Sequence, residues 1–210
     1  MKTVFLSAES DVDIIPVLQK ALYLLPEKVG IVATVQHLNK LTEAKKFLEK
    51  NGKKATIGGQ VLGCNVSNAA KISKQVECIL FVGSGRFHPI ELGRIKKIIT
   101  ANPLTEEVSE IDEITLKKIE IKRKVAVTKF ISADKTGVIM STKKGQHVNV
   151  DRKKLEKKYP DKQFFYFLCD TLSMNDLENF PFVQCWVNTM CPRIAYEDYS
   201  QKVIVNLEDI

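Results

Sequence analysis

The chain repeats itself at a fixed offset, and this repeat constrains its fold more than any other feature of the sequence. A shift of 107 residues places residues 30–34 (GIVAT) on residues 137–141 (GVIMS) and residues 76–78 on residues 183–185. The same offset continues as far as Arg86, which falls on Arg193. Unrelated apolar runs would not keep one register over such a distance, so the sequence predicts two copies of one structural unit.

Each copy has strand patterns that alternate with helical patterns. The predicted strands are 29–35, 55–57, 78–82 and 97–100 in the first copy and 136–142, 163–169, 185–189 and 203–206 in the second, with helices at 41–51, 67–74, 151–158 and 174–177. Helices between consecutive strands imply right-handed crossovers. We therefore predict an α/β fold of two repeated units, each a mostly parallel sheet of about four strands flanked by helices.

The predicted domains are residues 1–112 and residues 113–210, joined through a linker at 103–113 and a basic amphipathic helix at 113–130. A chain of 210 residues, of which 44% are hydrophobic, is sufficient for two small cores. No apolar run is long enough to span a membrane, and the first residues lack a secretory pattern. We expect a cytoplasmic protein without a membrane partner.

The net charge of +7 would suit an acidic partner or nucleic acid. The lysines are, however, spread along predicted helices, and no basic block is interleaved with aromatic residues. We expect a solvated lysine surface and no direct contact with nucleic acid.

Five cysteines and no export pattern argue against a disulfide framework, so each cysteine is a core residue, a ligand or a reactive thiol. Cys78 and Cys185 lie within apolar strands and Cys169 ends one, and all three are expected to be core residues. No CxxC or paired histidine motif occurs. Any metal site must therefore be assembled from loops that are distant in sequence.

Ligands of parallel α/β sheets bind at the carboxyl ends of the strands, which directs attention to the loops 58–65, 83–89, 141–147 and 190–193. Cys64 lies among three glycines in the first of these loops. It would serve either as a ligand or as a half-buried thiol in a tight turn. Cys191 follows a predicted strand and takes the place of Ser84 under the 107-residue offset, which puts a thiol at the mouth of the sheet.

The loop 83–89 (GSGRFHP) follows an apolar strand and precedes a helical segment. Backbone N–H groups at such a junction can bind an anion, and an arginine can pair with a carboxylate. The spacing is not that of a dinucleotide or P-loop motif, so a structural turn remains an equal alternative.

These segments together resemble a known family. The runs GGQVLGCN (58–65), FVGSGRFHP (81–89), NPLTEEV (102–108), GVIMSTKKGQ (137–146) and NTMCPRIAYEDY (188–199) look like the second and third domains of the catalytic subunit of archaeal-type diphthamide synthase. The resemblance covers nearly the whole chain. It implies a noncanonical radical enzyme in which three cysteines, one per domain, hold a 4Fe-4S cluster and S-adenosylmethionine binds the open iron position. The family transfers a 3-amino-3-carboxypropyl group to one histidine of elongation factor 2.

Carried over residue by residue, the resemblance makes Cys64 and Cys191 the cluster ligands of the second and third domains. Position and resemblance together nominate the cofactor-binding residues, which are Gly83, Ser84, Gly85, Arg86, His88, Ser141, Lys143, Gln146 and Arg193. Each of these polar residues could instead cap a loop.

The resemblance begins at the family's second domain, so we expect the third ligand either to come from another polypeptide, such as a separate first-domain subunit, or to have been lost. Cys169 lies two residues before the offset partner of Cys64 and could take that role, but its expected core role makes it the weaker candidate. A dimer is also expected from the resemblance. Three functions remain open, namely a working part of the synthase, an accessory or electron-relay subunit, and a binding module without a cluster.

Overall fold

The computed structural model describes residue 4 and residues 8–62, 65–85, 87–143, 150–196 and 202–210. The chain divides into two compact units, Met1–Leu116 and Lys117–Ile210. We retain the division after residue 112 as a proposal for the domain boundary, because a long helix begins at Glu113. Within the described ranges, no helix is both long enough and apolar enough to cross a membrane.

The first unit is built around one five-stranded sheet. Its elements are α1 (Ile15–Ala21), β1 (Lys28–Ala33), a 3-10 helix (Val35–Lys40), α2 (Leu41–Lys50), β2 (Lys54–Gln60), α3 (Ser67–Ile72), β3 (Cys78–Val82), α4 (Phe87–Gly93), β4 (Lys97–Asn102) and β5 (Glu107–Glu110). The strand order is β2-β1-β3-β4-β5, and all pairs are parallel except β4 with β5. The central strands β1 and β3 are buried almost throughout, because apolar clusters cover both faces of the sheet.

The second unit has a four-stranded sheet in which every pair is parallel. Helix α5 (Glu113–Ser132) begins in the first unit and continues into the second. The further elements of the second unit are β6 (Lys135–Ser141), α6 (Arg152–Lys158), β7 (Gln163–Cys169), a 3-10 helix (Met174–Asn179), β8 (Cys185–Asn188), a 3-10 helix (Pro192–Ala195), β9 (Ile204–Asn206) and a 3-10 helix (Leu207–Asp209). The strand order is β7-β6-β8-β9. The predicted α/β fold with two mostly parallel sheets is therefore confirmed.

The repeat is preserved in the pairing of the strands. Val29 pairs with Cys78 in the first unit and Thr136 pairs with Cys185 in the second, so both partners move by 107 residues. The edge strand departs from this offset, since β2 begins at Lys54 and β7 at residue 163, a difference of 163−54 = 109. The second unit thus has two extra residues before β7. With this offset Cys64 corresponds to residue 173 (64+109), which lies beyond the end of β7 at Cys169.

Two details of the predicted linker region were wrong. Residues 107–110, expected to be linker, form the antiparallel edge strand β5. Three of its four residues are polar and Val108 is its one apolar residue, so the strand carries no hydrophobic alternation by which it could be recognised. Helix α5 was also predicted to be amphipathic, but it has apolar residues on both its buried and its exposed sides. Ala126 and Phe130 are buried, whereas Ile121 and Val125 are exposed.

Candidate functional site

Cys191 lies just beyond the carboxyl end of β8, where the second unit's parallel strands all end. It immediately precedes the 3-10 helix Pro192–Ala195, and its thiol is free and half-buried. This edge of a parallel sheet is where α/β folds bind ligands. A thiol with access to solvent is therefore present at the sheet edge where ligands are expected to bind.

The other thiols of the second unit are less suited to bind a metal. Burial raises the pKa of Cys185 to about 11, and the same cause raises the pKa of Cys78 in the first unit to about 12. Both thiols remain protonated at neutral pH, and the core role predicted for them is confirmed by their complete burial.

Cys169 is half-buried at the end of β7. Its Sγ lies 3.7 Å from the carbonyl oxygen of Met140 and 4.0 Å from Sδ of Met190. Burial raises the pKa of this thiol, and the carboxylates of Asp170 and Asp176 raise it further. Cys169 packs against the hydrophobic cluster around Trp186, in agreement with the expected core role.

Two predicted polar residues of the second unit lie on the strand next to β8. Ser141 ends β6 and is fully buried, and its Oγ accepts a hydrogen bond of 3.0 Å from the backbone N–H of Lys143. Lys143 is exposed and its Nζ donates to Oγ1 of Thr171 at 3.2 Å. Because β6 and β8 are parallel neighbours, both residues share the sheet edge with Cys191. Ser141 therefore shapes the loop, and Lys143 can present charge.

Arg193 is exposed in the 3-10 helix that follows Cys191. Gln146 lies outside the described residues, as do Cys64 and Arg86 of the first unit.

In the first unit, Gly83, Ser84 and Gly85 follow β3. The N–H of Gly83 donates to the carbonyl of Ala101 at 3.0 Å, so this amide is part of the sheet and cannot bind an anion. Ser84 is exposed, and Gly85 has φ of +82°, a left-handed conformation that favours glycine. Of these three residues, only Ser84 and Gly85 are therefore open to a ligand.

His88 is half-buried and its ring stacks on that of Phe81, with centroids 5.7 Å apart. Burial lowers the pKa of this imidazole, so the neutral form predominates at pH 7. His88 can therefore exchange hydrogen bonds with a ligand but does not supply a positive charge there.

A cleft of about 240 Å³ borders Gly85 in the first unit. It is lined by residues of α4, β4, β5 and the start of α5, which are Gly85, Pro89, Ile90, Thr100, Ser109, Glu110, Ile111 and Thr115. Pockets for drug-sized ligands usually enclose about 300–1,000 Å³. The cleft could therefore take a fragment of a cofactor rather than a whole nucleoside.

The described residues offer few groups that could bind a metal cluster. None of them forms a group of three or more His, Cys, Asp or Glu residues that could hold a metal ion. Cys191 by itself fits one position of an iron-sulfur cluster, because it is a thiol with access to solvent at the carboxyl edge of the sheet. The second unit can thus offer one ligand to a cluster whose other ligands come from elsewhere.

Sequence reasoning missed two buried amides at this edge. Asn188 and Asn206 end β8 and β9 as register partners, and each is 2% exposed. A polar residue at the end of each of two apolar strands was the available signal, but their pairing depends on the register of the sheet.

Comparison with known proteins agrees with this architecture. The model of the diphthamide synthesis protein family matches residues 1–208. The chain is 35% identical to 2-(3-amino-3-carboxypropyl)histidine synthase of Pyrococcus horikoshii, in an alignment that covers 94% of this chain and 60% of the relative. A synthase of the same name from Methanocaldococcus jannaschii is 33% identical, over 76% of this chain and 52% of the relative.

Solved structures give the same result. The crystal structure of Dph2 from Pyrococcus horikoshii superposes with a TM-score of 0.82 at 32% identity, covering 96% of this chain and 62% of that one. A crystal structure of the same protein with a 4Fe-4S cluster has a TM-score of 0.81 with the same coverage. The chain thus spans about 60% of the length of its Pyrococcus relative. Sequence and structure agree that this chain belongs to the diphthamide synthesis protein family.

Proposed function

We propose that the chain acts in diphthamide biosynthesis as part of a 4Fe-4S enzyme. The enzyme would transfer a 3-amino-3-carboxypropyl group from S-adenosylmethionine to the imidazole of a histidine in elongation factor 2. The observation that carries this proposal is the half-exposed thiol of Cys191 at the carboxyl end of β8, in a fold shared with a relative that has been crystallised with a 4Fe-4S cluster.

In this proposal Cys191 and Cys64 each provide one thiolate. Both cysteines follow strands of repeated units, and the fit of Cys191 is supported by its accessibility compared with the buried Cys78 and Cys185. The third thiolate would lie in the part of the relatives that this chain does not match. Dimerisation is part of the same proposal.

When bound, the cluster would supply the electron for cleavage of the sulfonium and an open iron position for the methionine part of the cofactor. The chain's own groups would bind and orient that part. Lys143 and Arg193, with Arg86, offer positive charge to a carboxylate. Ser84, Gly85, His88 and Gln146 would contribute hydrogen bonds or close backbone approach, while Gly83 and Ser141 hold the loops in shape.

The proposal is tested by measuring iron and acid-labile sulfide per chain after anaerobic reconstitution. The Cys191→Ala and Cys64→Ala variants are expected to lose the iron, because each removes a ligand. Cys169→Ala is the matched control, since it removes a half-buried thiol of the same unit that packs against the core. Equal iron in Cys191→Ala and the control would contradict the assignment of Cys191.

Activity requires a second measurement on reconstituted protein. With dithionite as reductant, a working synthase is expected to cleave S-adenosylmethionine and to modify elongation factor 2 when both are added. A chain that holds the cluster without cleaving the cofactor would instead be an accessory or electron-relay subunit.

A further inference from the structure

Two buried amides, Asn188 and Asn206, hold the backbone on both sides of Cys191. They end the neighbouring strands β8 and β9 and are register partners. Nδ2 of Asn188 donates to Oδ1 of Asn206 at 2.7 Å, which joins the two side chains. Each side chain is only 2% exposed, so the pair is formed away from water.

Within the described part of the chain, the other side-chain bonds of this pair end on residues 190–192. Oδ1 of Asn188 accepts from the backbone N–H of Met190 at 3.0 Å, and its Nδ2 also donates to the carbonyl of Cys191 at 2.9 Å. Nδ2 of Asn206 donates to the carbonyl of Pro192 at 3.1 Å. Three consecutive residues, with the cysteine in the middle, are therefore each bound by a buried amide.

The network determines the orientation of both amides. Met190 presents a donor to Asn188, whereas Cys191 presents an acceptor, so only one orientation of the Asn188 amide satisfies both. Asn206 likewise must offer its oxygen to Asn188 and its nitrogen to Pro192. A flip of either amide would bring two acceptors or two donors together.

The repeat indicates that the fold does not need these amides. Under the 107-residue offset the counterpart of Asn188 is Phe81, which is fully buried at the same point of β3. The partner of Phe81 on β4 is Thr100. The first unit therefore forms the same strand pair without an amide pair, and its loop at this place has Ser84 instead of a cysteine.

A buried polar pair adds little net stability compared with an apolar pair of similar size, but it does specify one geometry. We infer that Asn188 and Asn206 are positioning residues that fix the direction in which Cys191 presents its thiolate to an iron-sulfur cluster. The inference rests on the proposed function. Partners of this kind, which orient a metal ligand without touching the metal, typically change metal affinity by about 10-fold to 100-fold when they are removed.

The test compares Asn188→Leu and Asn206→Leu with the intact chain. Leucine has the same number and branching of side-chain heavy atoms as asparagine but can make none of these hydrogen bonds. Asn206→Leu is the milder change, because it leaves the bonds from Asn188 to Met190 and Cys191 in place, and it serves if Asn188→Leu does not fold. Val205→Ala is the matched control, since it shortens a buried side chain of the same strand and leaves the amide pair intact.

Two measurements are made. In reconstituted protein, both leucine variants are expected to lose iron to a chelator about 10-fold to 100-fold faster than Val205→Ala and to show an altered electron paramagnetic resonance signature of the reduced cluster. In the cluster-free chain, the amide of Met190 is expected to exchange its hydrogen about tenfold faster in Asn188→Leu than in the control, because it has lost its acceptor.

The inference is overturned if the intact chain holds a cluster through Cys191 while both leucine variants release iron at the control rate with an unchanged signature. Failure of the cluster role proposed for Cys191 is distinguishable, because Cys191→Ala would then hold as much iron as the Cys169→Ala control. Hydrogen exchange at the amide of Met190 still tests the inference in that case. An exchange rate in Asn188→Leu equal to that in Val205→Ala would show that the amides do not hold the loop.

Discussion

Gly137 of β6 is the position at which the structure makes its sharpest prediction about stability. A Cβ atom there would lie 2.5 Å from both Cε3 and Cζ3 of Trp186 and 3.0 Å from Cγ1 of Val183. The indole cannot turn aside, because Trp186 is 1% exposed and packs against the ring of Phe167 at 4.9 Å. An ordinary contact between carbon atoms is about 3.5–4.0 Å. Gly137→Ala must therefore move a strand or a packed ring by about 1 Å to restore that distance.

Overpacking of this kind costs about 1–3 kcal/mol, whereas replacing glycine by alanine recovers about 0.4–1 kcal/mol through the unfolded chain. We expect Gly137→Ala to lower the free energy of unfolding of the second unit by about 1–2 kcal/mol. The repeat supplies a matched control in Gly30, where a Cβ would meet Cδ1 of Ile72 at 2.7 Å. That atom is the end of a flexible side chain, so Gly30→Ala should cost the first unit less.

The assay is urea unfolding followed by the fluorescence of Trp186, which is the only tryptophan and so reports on the second unit. Hydrogen exchange in β1 and β6 compares the two units in the two variants. A Gly137→Ala variant that unfolds at the same urea concentration as the unchanged chain, or a Gly30→Ala variant that is the more damaging, would refute the packing argument.

Two further predictions concern Lys162 and His37. Nζ of Lys162 donates to the carbonyls of Phe130, Ile131 and Ala133 at 2.7, 2.9 and 2.6 Å, and thereby caps the end of α5. Lys162→Met should lower the free energy of unfolding in urea by about 1–3 kcal/mol. The control Lys157→Met changes an exposed lysine and should lower it by less than about 0.5 kcal/mol. Equal losses in the two variants would contradict the capping role of Lys162. His37 is 3% exposed, and burial lowers its pKa, with the charge of Lys40 adding to the effect. As pH falls, the imidazole is therefore protonated in the unfolded chain before it is protonated in the folded one, so stability is lost below about pH 6.5. In thermal unfolding between about pH 7.5 and 5.5, His37→Gln should reduce this loss of stability. An unchanged dependence of stability on pH would exclude His37 as its source.

The positions of most strands could be predicted because the repeat and the apolar runs are local properties of the sequence. Both proposed ligands were found through the resemblance, and Cys191 also through its place after an apolar strand. The structure adds what distinguishes the cysteines, since Cys78 and Cys185 have raised pKa values through burial whereas Cys191 is half-exposed. The core role of Cys78 and Cys185 could be predicted from their place within apolar strands, but the raised pKa values could not, because the degree of burial depends on what packs over each strand.

The sequence by itself determined that two α/β units of one pattern follow each other, because a constant offset of 107 residues places equivalent apolar strands in equivalent positions. Only the tertiary structure decided that β5 completes the first sheet, because charged edge residues pair through their backbone and carry no apolar pattern. It likewise decided that Asn188 and Asn206, which are 18 residues apart in sequence, meet beneath Cys191. The register of two parallel strands brings them together, and register is a property of the assembled sheet.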